Sequence, residues 1–453
     1  MGGDEQRPKE RDTLTKQTPV RQMKALRMVD LRGQIGLKLS DIPRPAAPAA
    51  ETVDHVRVII DEVRSHGDAA LRSLTKRYDG VELTSLMFDR DAMEAAYHAI
   101  DPCLAEALNV AHRRIHEVYE AELPTSSRVV SDGISVIRRN VPVASAGCYV
   151  PGGVARYPST VLHTATLASV AGVERIVVAT PPLFDGRVDD ATLAASFVAG
   201  VSSLYPVGGA QAIAALAYGT ETIPSVDTIV GPGNLYVALA KAQVALDTGI
   251  GSSFAGPSEV LVVADATVDP RYAAIDLAVQ AEHGPNGLAW LVTWDEDYLS
   301  KVDTALFEYV ASAPRLDAIR STLVNNGYAA LVADREQAIE LANLIAPEHL
   351  ELLYRDGEAD APHVRSAGVI FVGADATAAF GDYVAGPSHV LPTYGTARFA
   401  SGLGLEDFLR RQHTVIVGPS AIDELGWAVE EFAKVEGLTA HGESVTLRRR
   451  PSC

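Results

Sequence analysis

Residues 259–293 read EVLVVADATVDPRYAAIDLAVQAEHGPNGLAWLVT, and this stretch decides the fold class. It begins and ends with apolar runs, Glu259–Ala264 and Leu288–Thr293. Runs in which apolar residues do not alternate with polar ones are typical of strands buried on both faces of a sheet. The segment between them is rich in Ala at helical spacing, and Asp269-Pro270 and Gly284-Pro285 predict the bounds of a helix. We therefore predict a strand, a helix and a second strand parallel to the first.

The same alternation recurs elsewhere in the chain. Further Val/Ile-rich runs lie at Arg175–Thr180, Asp227–Val230 and Gly368–Val372, again separated by Ala-rich helical patterns. This alternation predicts an α/β architecture with parallel sheets and with binding crevices at the carboxyl ends of the strands. Between Glu51 and His116 the pattern is helical only, and Gly67 interrupts it. That segment predicts a helical layer.

Glycine and proline clusters divide the chain into predicted domains. Val150–Gly153 and Gly256–Pro257 bracket a stretch of ordinary domain size, which predicts an inserted domain. The first residues are polar and aperiodic, which predicts disorder up to about Met28. The predicted units are a disordered extension (1–28), an N-terminal arm (29–50), a first α/β domain in two pieces (51–148 with 258–398), an inserted second α/β domain (149–257) and a C-terminal segment (399–453). Within the last segment, Ser420 and Asp423 predict a helix start.

Composition and charge exclude several classes of protein. The 453 residues carry 39 Lys plus Arg against 58 Asp plus Glu, and the net charge of -19 repels nucleic acid and anionic lipid. Residues 201–220 carry no charge, but Pro206 and Gly208 interrupt them, so we expect a buried loop and helix there. Three cysteines fit a reducing compartment, and the first 22 residues lack the apolar core of a secretory signal. We therefore expect a cytoplasmic protein that binds neither nucleic acid nor membrane.

Gln280 and His283 are the first candidate metal ligands. They stand three positions apart at the end of the predicted helix, so both project from one face. An amide oxygen and an imidazole nitrogen from that face suit one metal ion. A solvated last helical turn is the more common interpretation of such a pair.

Glu348 and His349 are candidate proton carriers. They follow Pro347, which ends a predicted helix that Asp334 and Gln337 open. A carboxylate beside an imidazole places two proton carriers at one point of the chain. Adjacent residues do not normally face each other, so a shared role requires a non-helical bend. An exposed acid next to a hydrogen-bonded histidine is the alternative.

Two further stretches carry candidate ligands. Asp382 and His389 lie in a Gly-containing stretch after the predicted strand at 369–372, and Glu436 and His441 lie near the C-terminus. Gln280, His283, Asp382 and His441 together form a set of two oxygen and two nitrogen donors that suits zinc. No short zinc signature joins the four residues.

Several strings, taken in order along the chain, resemble the histidinol dehydrogenase family: Gly256-Pro-Ser-Glu-Val260, Gln280-Ala-Glu-His283, Pro347-Glu-His349, the stretch 382–393 and Glu436–His441. The likeness runs from about Met28 to His441. It implies two Rossmann-like domains with parallel sheets, and a homodimer with shared active sites that exchanges a small C-terminal helical segment. It also implies the oxidation of L-histidinol to L-histidine through L-histidinaldehyde with two NAD reduced, the last steps of histidine biosynthesis.

The resemblance also implies roles for individual residues. It implies one zinc ion (Zn2+) per subunit, held by Gln280, His283 and Asp382 of one subunit and by His441 of the partner subunit. By the same resemblance, His349 is the base that takes the alcohol proton, and Glu348 activates water to attack the aldehyde. The implied substrate contacts are the four metal ligands, Glu348, Ser258, His389 and, from the other subunit, Glu436.

The NAD site comes from the resemblance alone. Gly231-Pro-Gly-Asn234 follows a predicted strand but lacks the third glycine of a dinucleotide fingerprint. The resemblance implies that Tyr149, Gln211 and Asn234 contact the nucleotide. Two alternatives use nearly the same residues. One is a zinc-dependent hydrolase in which Glu348 activates water, and the other is a binding or structural protein in which zinc only joins a dimer.

Overall fold

The computed structural model describes residues 20–34, 36, 38, 50–152, 156–251, 258–282 and 287–449. Its strands are β1 (Val20–Gln22), β2 (Arg27–Asp30), β3 (Ser127–Ser131), β4 (Ile134–Pro142), β5 (Ser145–Tyr149), β6 (Arg175–Ala179), β7 (Ser203–Tyr205), β8 (Thr228–Val230), β9 (Gly249–Ile250), β10 (Glu259–Ala264), β11 (Leu288–Thr293), β12 (Gly327–Leu331), β13 (His349–Leu353), β14 (Val369–Val372) and β15 (Leu409–Val417).

Helices alternate with most of these strands. They are α1 (Ala50–Asp79), α2 (Arg90–Ala99), α3 (Pro102–Ala121), α4 (Pro158–Ala171), α5 (Asp190–Val198), α6 (Gly209–Tyr218), α7 (Leu235–Val244), α8 (Pro270–Ala281), α9 (Glu296–Ser312), α10 (Leu316–Asn326), α11 (Arg335–Ile345), α12 (Gly357–Asp360), α13 (Ala378–Tyr383), α14 (Pro419–Glu436) and α15 (Thr439–Thr446). Short 3-10 helices lie at Ala361–His363, Thr396–Arg398 and Leu405–Asp407.

The larger sheet contains the strand–helix–strand unit predicted from residues 259–293. Its order is β1-β2-β12-β11-β10-β13-β14, and only β1 pairs antiparallel to its neighbour. β10 and β11 have the predicted bounds, and Asp269 caps α8 as predicted, since its carboxylate accepts the N–H of Arg271. Apolar residues of α8, α9 and α10 pack on one face of the sheet, and those of α11 pack on the other. The prediction of an α/β fold with parallel sheets is confirmed.

The second parallel sheet has the order β7-β6-β5-β8-β9. Helices α2 to α5 cover one face, and α1, α6 and α7 cover the other. The prediction that assigned residues 51–148 to the first domain is wrong for this helical layer, because α1, α2 and α3 pack on the second sheet. β5 also begins four residues before the predicted boundary at residue 149. The helical pattern identifies an apolar face but does not identify the sheet that the face covers.

The prediction of a disordered extension up to residue 28 is wrong for residues 20–28. β1 and β2 form an edge of the larger sheet, where β2 pairs in parallel with β12. The carboxylate of Asp303 accepts the N–H groups of Lys24, Ala25 and Leu26. Backbone pairing and this buried carboxylate order a segment that has no hydrophobic periodicity of its own.

A small antiparallel sheet and two helices form the C-terminal part. The sheet has the order β15-β4-β3, and α14 packs against α15. α14 begins at Pro419 with Gly418 as its cap, so the cap predicted at Ser420 is two residues late, and the observed cap makes no side-chain hydrogen bond. Many apolar side chains of this part are exposed, including Val129, Val130, Val415, Ile416, Val417, Trp427, Phe432, Val435, Leu438 and Leu447.

No helix in the described ranges is both long enough and apolar enough to cross a membrane. The uncharged stretch at 201–220 forms β7, a short loop and α6, and most of it is buried against the second sheet.

Candidate active site

Glu348 lies on the turn that leads from α11 into β13, and His349 is the first residue of β13. α11 ends before Ala346, whose φ of 53° lies in the left-handed region and turns the chain. The non-helical bend required for a shared role is therefore present. His349 Nδ1 lies 3.6 Å from Glu348 Oε2. Both residues are buried, with exposed fractions of 4% and 5%.

The main chain of Glu259, the first residue of β10, holds both side chains. Its N–H donates to Glu348 Oε2 at 2.8 Å, and its carbonyl oxygen lies 3.2 Å from His349 Nδ1. A carbonyl oxygen can only accept, so Nδ1 carries a hydrogen and Nε2 is the nitrogen that takes up a proton in the neutral ring. Glu259 has no role in the sequence-based prediction, because a backbone contact between neighbouring strands leaves no sequence motif.

The pair lies at the amino end of its sheet. Ser258 directly precedes β10, and Glu348 directly precedes β13, which pairs in parallel with β10. The prediction that binding crevices lie at the carboxyl ends of the strands is therefore wrong for these candidate residues of the larger sheet. The crevice rule describes open sheets with a ligand at the carboxyl ends of the strands. Here α8 follows β10 and returns its last turn, with Gln280, to the edge where β11 begins.

Burial controls the ionisation of Glu348. Burial raises the pKa of its carboxyl well above the ordinary value, and the negative charges of Glu259 and Asp382 raise it further. The N–H of Glu259 and a side-chain hydrogen bond with Ser258 oppose this rise. Ser258 is thereby placed beside Glu348. A cation bound here would also favour the ionised carboxylate.

Asp382 faces His349 from α13. Its Oδ1 lies 3.8 Å from His349 Nε2, and its side chain is 21% exposed. Gln280, in the last turn of α8, is 2% exposed, and its Nε2 has no hydrogen-bond partner among the described residues. The two helices are in contact, because Thr377 at the start of α13 donates to Asp276 of α8 at 2.6 Å.

Of the four predicted metal ligands, Gln280 and Asp382 lie on helices that contact each other in the described part of the chain. His283 lies outside the described residues. His441 on α15 and Glu436 at the end of α14 are exposed. No group of three or more His, Cys, Asp or Glu side chains in the described part of the chain could hold a metal ion. Within one chain, the geometry brings together Glu348, His349 and Asp382, with the Gln280 helix beside them.

His389 connects α13, which carries Asp382, to α4, which covers the second sheet. Its Nδ1 lies 2.9 Å from the carbonyl oxygen of Asp382, and its Nε2 lies 3.1 Å from Oγ1 of Thr160 on α4. The ring stacks on His163 of the same helix, with ring centroids 4.3 Å apart. Burial lowers the pKa of His163 well below its ordinary value, and the charge of His389 lowers it further, so His163 is a neutral partner in this stack.

The predicted NAD contacts lie at the carboxyl edge of the second sheet. Tyr149 ends β5, and its hydroxyl oxygen accepts the N–H of Gly209 at 3.0 Å at the start of α6, which also carries the buried Gln211. Asn234 caps α7, since its Oδ1 accepts the N–H of Val237 at 3.1 Å. The starts of two helices therefore meet at this edge, where their N–H groups favour an anionic ligand.

The loop that carries Asn234 approaches β5 closely. A Cβ at Gly231 would clash with the carbonyl oxygen of Tyr149, and Gly231 has a φ of 104°, so this position requires glycine. Lys241 of α7 is buried and donates to the carbonyl oxygen of Gly231. Lys241 has no part in the sequence-based prediction. Its hydrogen bond connects α7 to the loop that carries Asn234.

Comparison with known proteins identifies the family of this chain. A family model described as histidinol dehydrogenase matches residues 42–449. Histidinol dehydrogenase from Pseudomonas syringae pv. tomato is 44% identical over 394 residues, 86% of this chain and 88% of that protein. The histidinol dehydrogenase of a Synechococcus species is 45% identical over 398 residues, 87% of this chain and 92% of that protein. The crystal structure of histidinol dehydrogenase from Elizabethkingia anophelis matches with a TM-score of 0.85 and 33% identity, over 89% of this chain and 94% of that chain.

Proposed function

Since the chain belongs to the histidinol dehydrogenase family, we propose that Glu348 and His349 carry out its NAD-dependent oxidation of L-histidinol to L-histidine through L-histidinaldehyde. The observation that supports these roles most directly is that the Glu259 main chain donates its N–H to Glu348 and accepts from His349 Nδ1, so that one residue holds both side chains. Family membership favours this oxidation over a zinc-dependent hydrolase and over a protein that only binds.

His349 acts as the base in this proposal. Its Nδ1 hydrogen is engaged by the carbonyl oxygen of Glu259, so Nε2 is the proton acceptor. Nε2 faces Asp382, the candidate ligand on α13, and this supports a substrate alcohol bound on that side of the ring. A buried imidazole held in one orientation and one tautomer is suited to removing a hydroxyl proton in each oxidation, first from the alcohol and then from the hydrated aldehyde.

Glu348 activates water for the second oxidation. The aldehyde must add water before it can lose a second pair of electrons, and a carboxylate next to the base supplies the required proton acceptor. One carboxylate oxygen of Glu348 is fixed by the N–H of Glu259. This contact orients the carboxylate and uses one of its four acceptor positions, so other positions are left to accept a proton from water.

Gln280, His283 and Asp382, with His441 of the partner subunit, would hold zinc. The buried amide of Gln280 fits this role, because a buried amide group without a partner costs about 1–3 kcal/mol unless a ligand satisfies it. Rotation of the amide presents either its oxygen or its nitrogen at the same position. When bound, zinc supplies a Lewis acid that orients the alcohol and the imidazole of the substrate. Ser258, His389 and the partner subunit's Glu436 complete the proposed substrate contacts.

The carboxyl edge of the second sheet would bind NAD, which accepts the electrons of each oxidation. Tyr149, Gln211 and Asn234 lie there beside two helix starts that suit a pyrophosphate. His389 links α4 of this sheet to Asp382 of the other. His389 therefore connects a helix that covers the second sheet to the helix that carries Asp382.

A homodimer completes the proposed site. His441 and Glu436 are exposed in the single chain, and α14 and α15 expose large apolar side chains such as Phe432 (69%) and Val435 (84%). An apolar surface of this kind is typical of a protein interface. A second copy that covers it would bring its own α15 to the first chain's metal ligands. A cytoplasmic location remains part of this proposal.

One assay tests the proposed function. The purified protein is mixed with L-histidinol and NAD, and NADH absorbance and histidine are both measured. We expect two NADH for each histidine, a loss of activity after zinc is removed with a chelator, and recovery when zinc is returned. Turnover without NAD, or full activity in the zinc-free protein, would contradict the proposal.

A further inference from the structure

Two buried acids lie on the same elements as the proposed metal ligand Gln280 and the proposed base His349. Asp276 is on α8, one turn before Gln280, so the two side chains share a helix face. Glu351 is on β13, two residues after His349, so these two share a face of the sheet. Asp276 is 5% exposed and Glu351 is fully buried. Neither acid has a role in the reaction proposed above.

Both acids hold the start of α13. Thr377, which caps α13, donates from Oγ1 to Asp276 Oδ1 at 2.6 Å. The N–H of Ala378, the first residue of the helix, donates to Glu351 Oε1 at 2.9 Å. α13 carries Asp382 little more than one turn later. Each acid therefore connects its own element to the helix that presents Asp382.

The two acids also contact each other. Their side chains are within hydrogen-bonding reach, and Glu351 Oε2 has no N–H or O–H donor among the described residues. Two carboxyl groups form a hydrogen bond only when one of them is protonated. Burial raises the pKa of both groups, and the charge of Asp276 raises the pKa of Glu351 further, so the pair retains a proton.

We propose that Asp276 and Glu351 are positioning residues that set the spacing of Gln280, His349 and Asp382. Through them α8, β13 and the start of α13 meet at one buried hydrogen-bonded pair. The proposal rests on the zinc site proposed above. Residues that orient metal ligands without touching the metal commonly lower metal affinity by about 10–100-fold when they are removed.

Substitution of Glu351 separates positioning from general stability. Glu351→Ala removes the bonds to Ala378 and Asp276. Glu351→Gln keeps both, because the amide oxygen accepts from Ala378 and the amide nitrogen donates to Asp276. We expect Glu351→Ala to lower zinc affinity about 10-fold or more, measured by competition with a chelator, and to raise KM for histidinol. Glu351→Gln should stay within about threefold of the wild type, well under the 10-fold loss of the Ala variant.

Asp303→Ala is the matched control. Asp303 is a buried carboxylate that accepts three backbone N–H groups on the outer edge of the same sheet. Its loss should lower Tm and leave zinc affinity unchanged. If Glu351→Ala does not fold, Thr377→Val removes only the hydroxyl that bonds Asp276, and it should weaken zinc binding in the same direction.

The outcomes are distinguishable. Weaker zinc binding in Glu351→Ala or Thr377→Val, with near-normal binding in Glu351→Gln and Asp303→Ala, supports the positioning role. Unchanged zinc affinity in both Glu351→Ala and Thr377→Val, whatever the change in Tm, overturns it. A wild-type protein that binds no zinc overturns the zinc site itself and with it this inference.

Discussion

Nδ1 of His349 donates its hydrogen to the carbonyl oxygen of Glu259 at 3.2 Å. This bond joins two neighbouring parallel strands through a side chain, and it selects one tautomer of the ring. Nε2, which lies 3.8 Å from Asp382 Oδ1, is then the basic nitrogen. The orientation and the tautomer of the proposed base are thus set by the fold of the single chain.

Replacement of His349 by Asn should separate orientation from proton transfer. The Asn amide nitrogen can take the place of Nδ1 and bond to Glu259, but nothing replaces Nε2. We expect kcat to fall by about 10²–10⁴-fold with zinc content and Tm near the wild-type values. Steady-state kinetics and metal analysis would measure this. Activity within a few-fold of the wild type would exclude His349 as the base.

Glu348→Gln should affect the second oxidation more than the first. The amide oxygen can still accept the N–H of Glu259, so the local structure should persist. Without a carboxylate to activate water, the aldehyde accumulates on the protein, and histidine formation should fall by about 10²–10⁴-fold. Rapid mixing with histidinol and NAD should show an initial NADH signal that is half the wild-type amplitude per site. Equal loss of both NADH equivalents would contradict this role.

Val435→Asp should break the proposed dimer. Val435 is 84% exposed in the single chain, and a charge there opposes burial against a second copy. We expect a monomer by analytical ultracentrifugation, with lost zinc and lost activity. Leu246→Asp is the matched control, since Leu246 is 98% exposed in the loop between α7 and β9 and should not alter assembly. A dimeric, active Val435→Asp protein would remove this face from the interface.

The buried ammonium group of Lys241 should make stability depend on pH. Burial lowers its pKa from 10.5 to about 8, so between these values the unfolded chain binds a proton that the folded chain does not. The contribution of Lys241 to the free energy of unfolding therefore rises with pH across this window, by about 3 kcal/mol in all. Below the window both states bind the proton and the contribution is constant.

Denaturant unfolding of wild type and Lys241→Met should reveal this dependence. The wild type should gain stability relative to the variant as pH rises from about 8 toward 10.5. Burial raises the pKa of both Cys148 and Tyr149 to about 12, which acts in the opposite direction. Both proteins contain these groups, so the difference between them isolates Lys241. If the free energies of unfolding of the two proteins change in parallel with pH, Lys241 has the same pKa in the folded and the unfolded chain.

The sequence pattern predicted β10 and β11 of the larger sheet because these strands are buried on both faces. β10 and β11 are uninterrupted apolar runs, and the caps Asp269 and Asp334 hold the helices beside them as predicted. Local signals of this kind specify an element and its bounds. They also identified Glu348 and His349 as neighbours on a bend.

The remaining features depend on contacts between distant parts of the chain. The helical layer of α1 to α3 has an apolar face, but only the folded chain shows which sheet that face covers. Thr160 and His163 meet His389 across more than 220 residues, and Asp276 meets Glu351 across 75. The edge strands β1 and β2 depend on Asp303 and on β12. A backbone or side-chain contact of this range has no local pattern that predicts it.

The exposed position of His441 on α15 has a genetic consequence. On the proposed division of each site between two chains, a protein with His441→Ala and a protein with Glu348→Gln are each inactive alone. A mixed pair of subunits would regain one intact centre, made from the unaltered Glu348 of one copy and the unaltered histidine of the other. Two defective alleles expressed together in one cell should therefore complement each other.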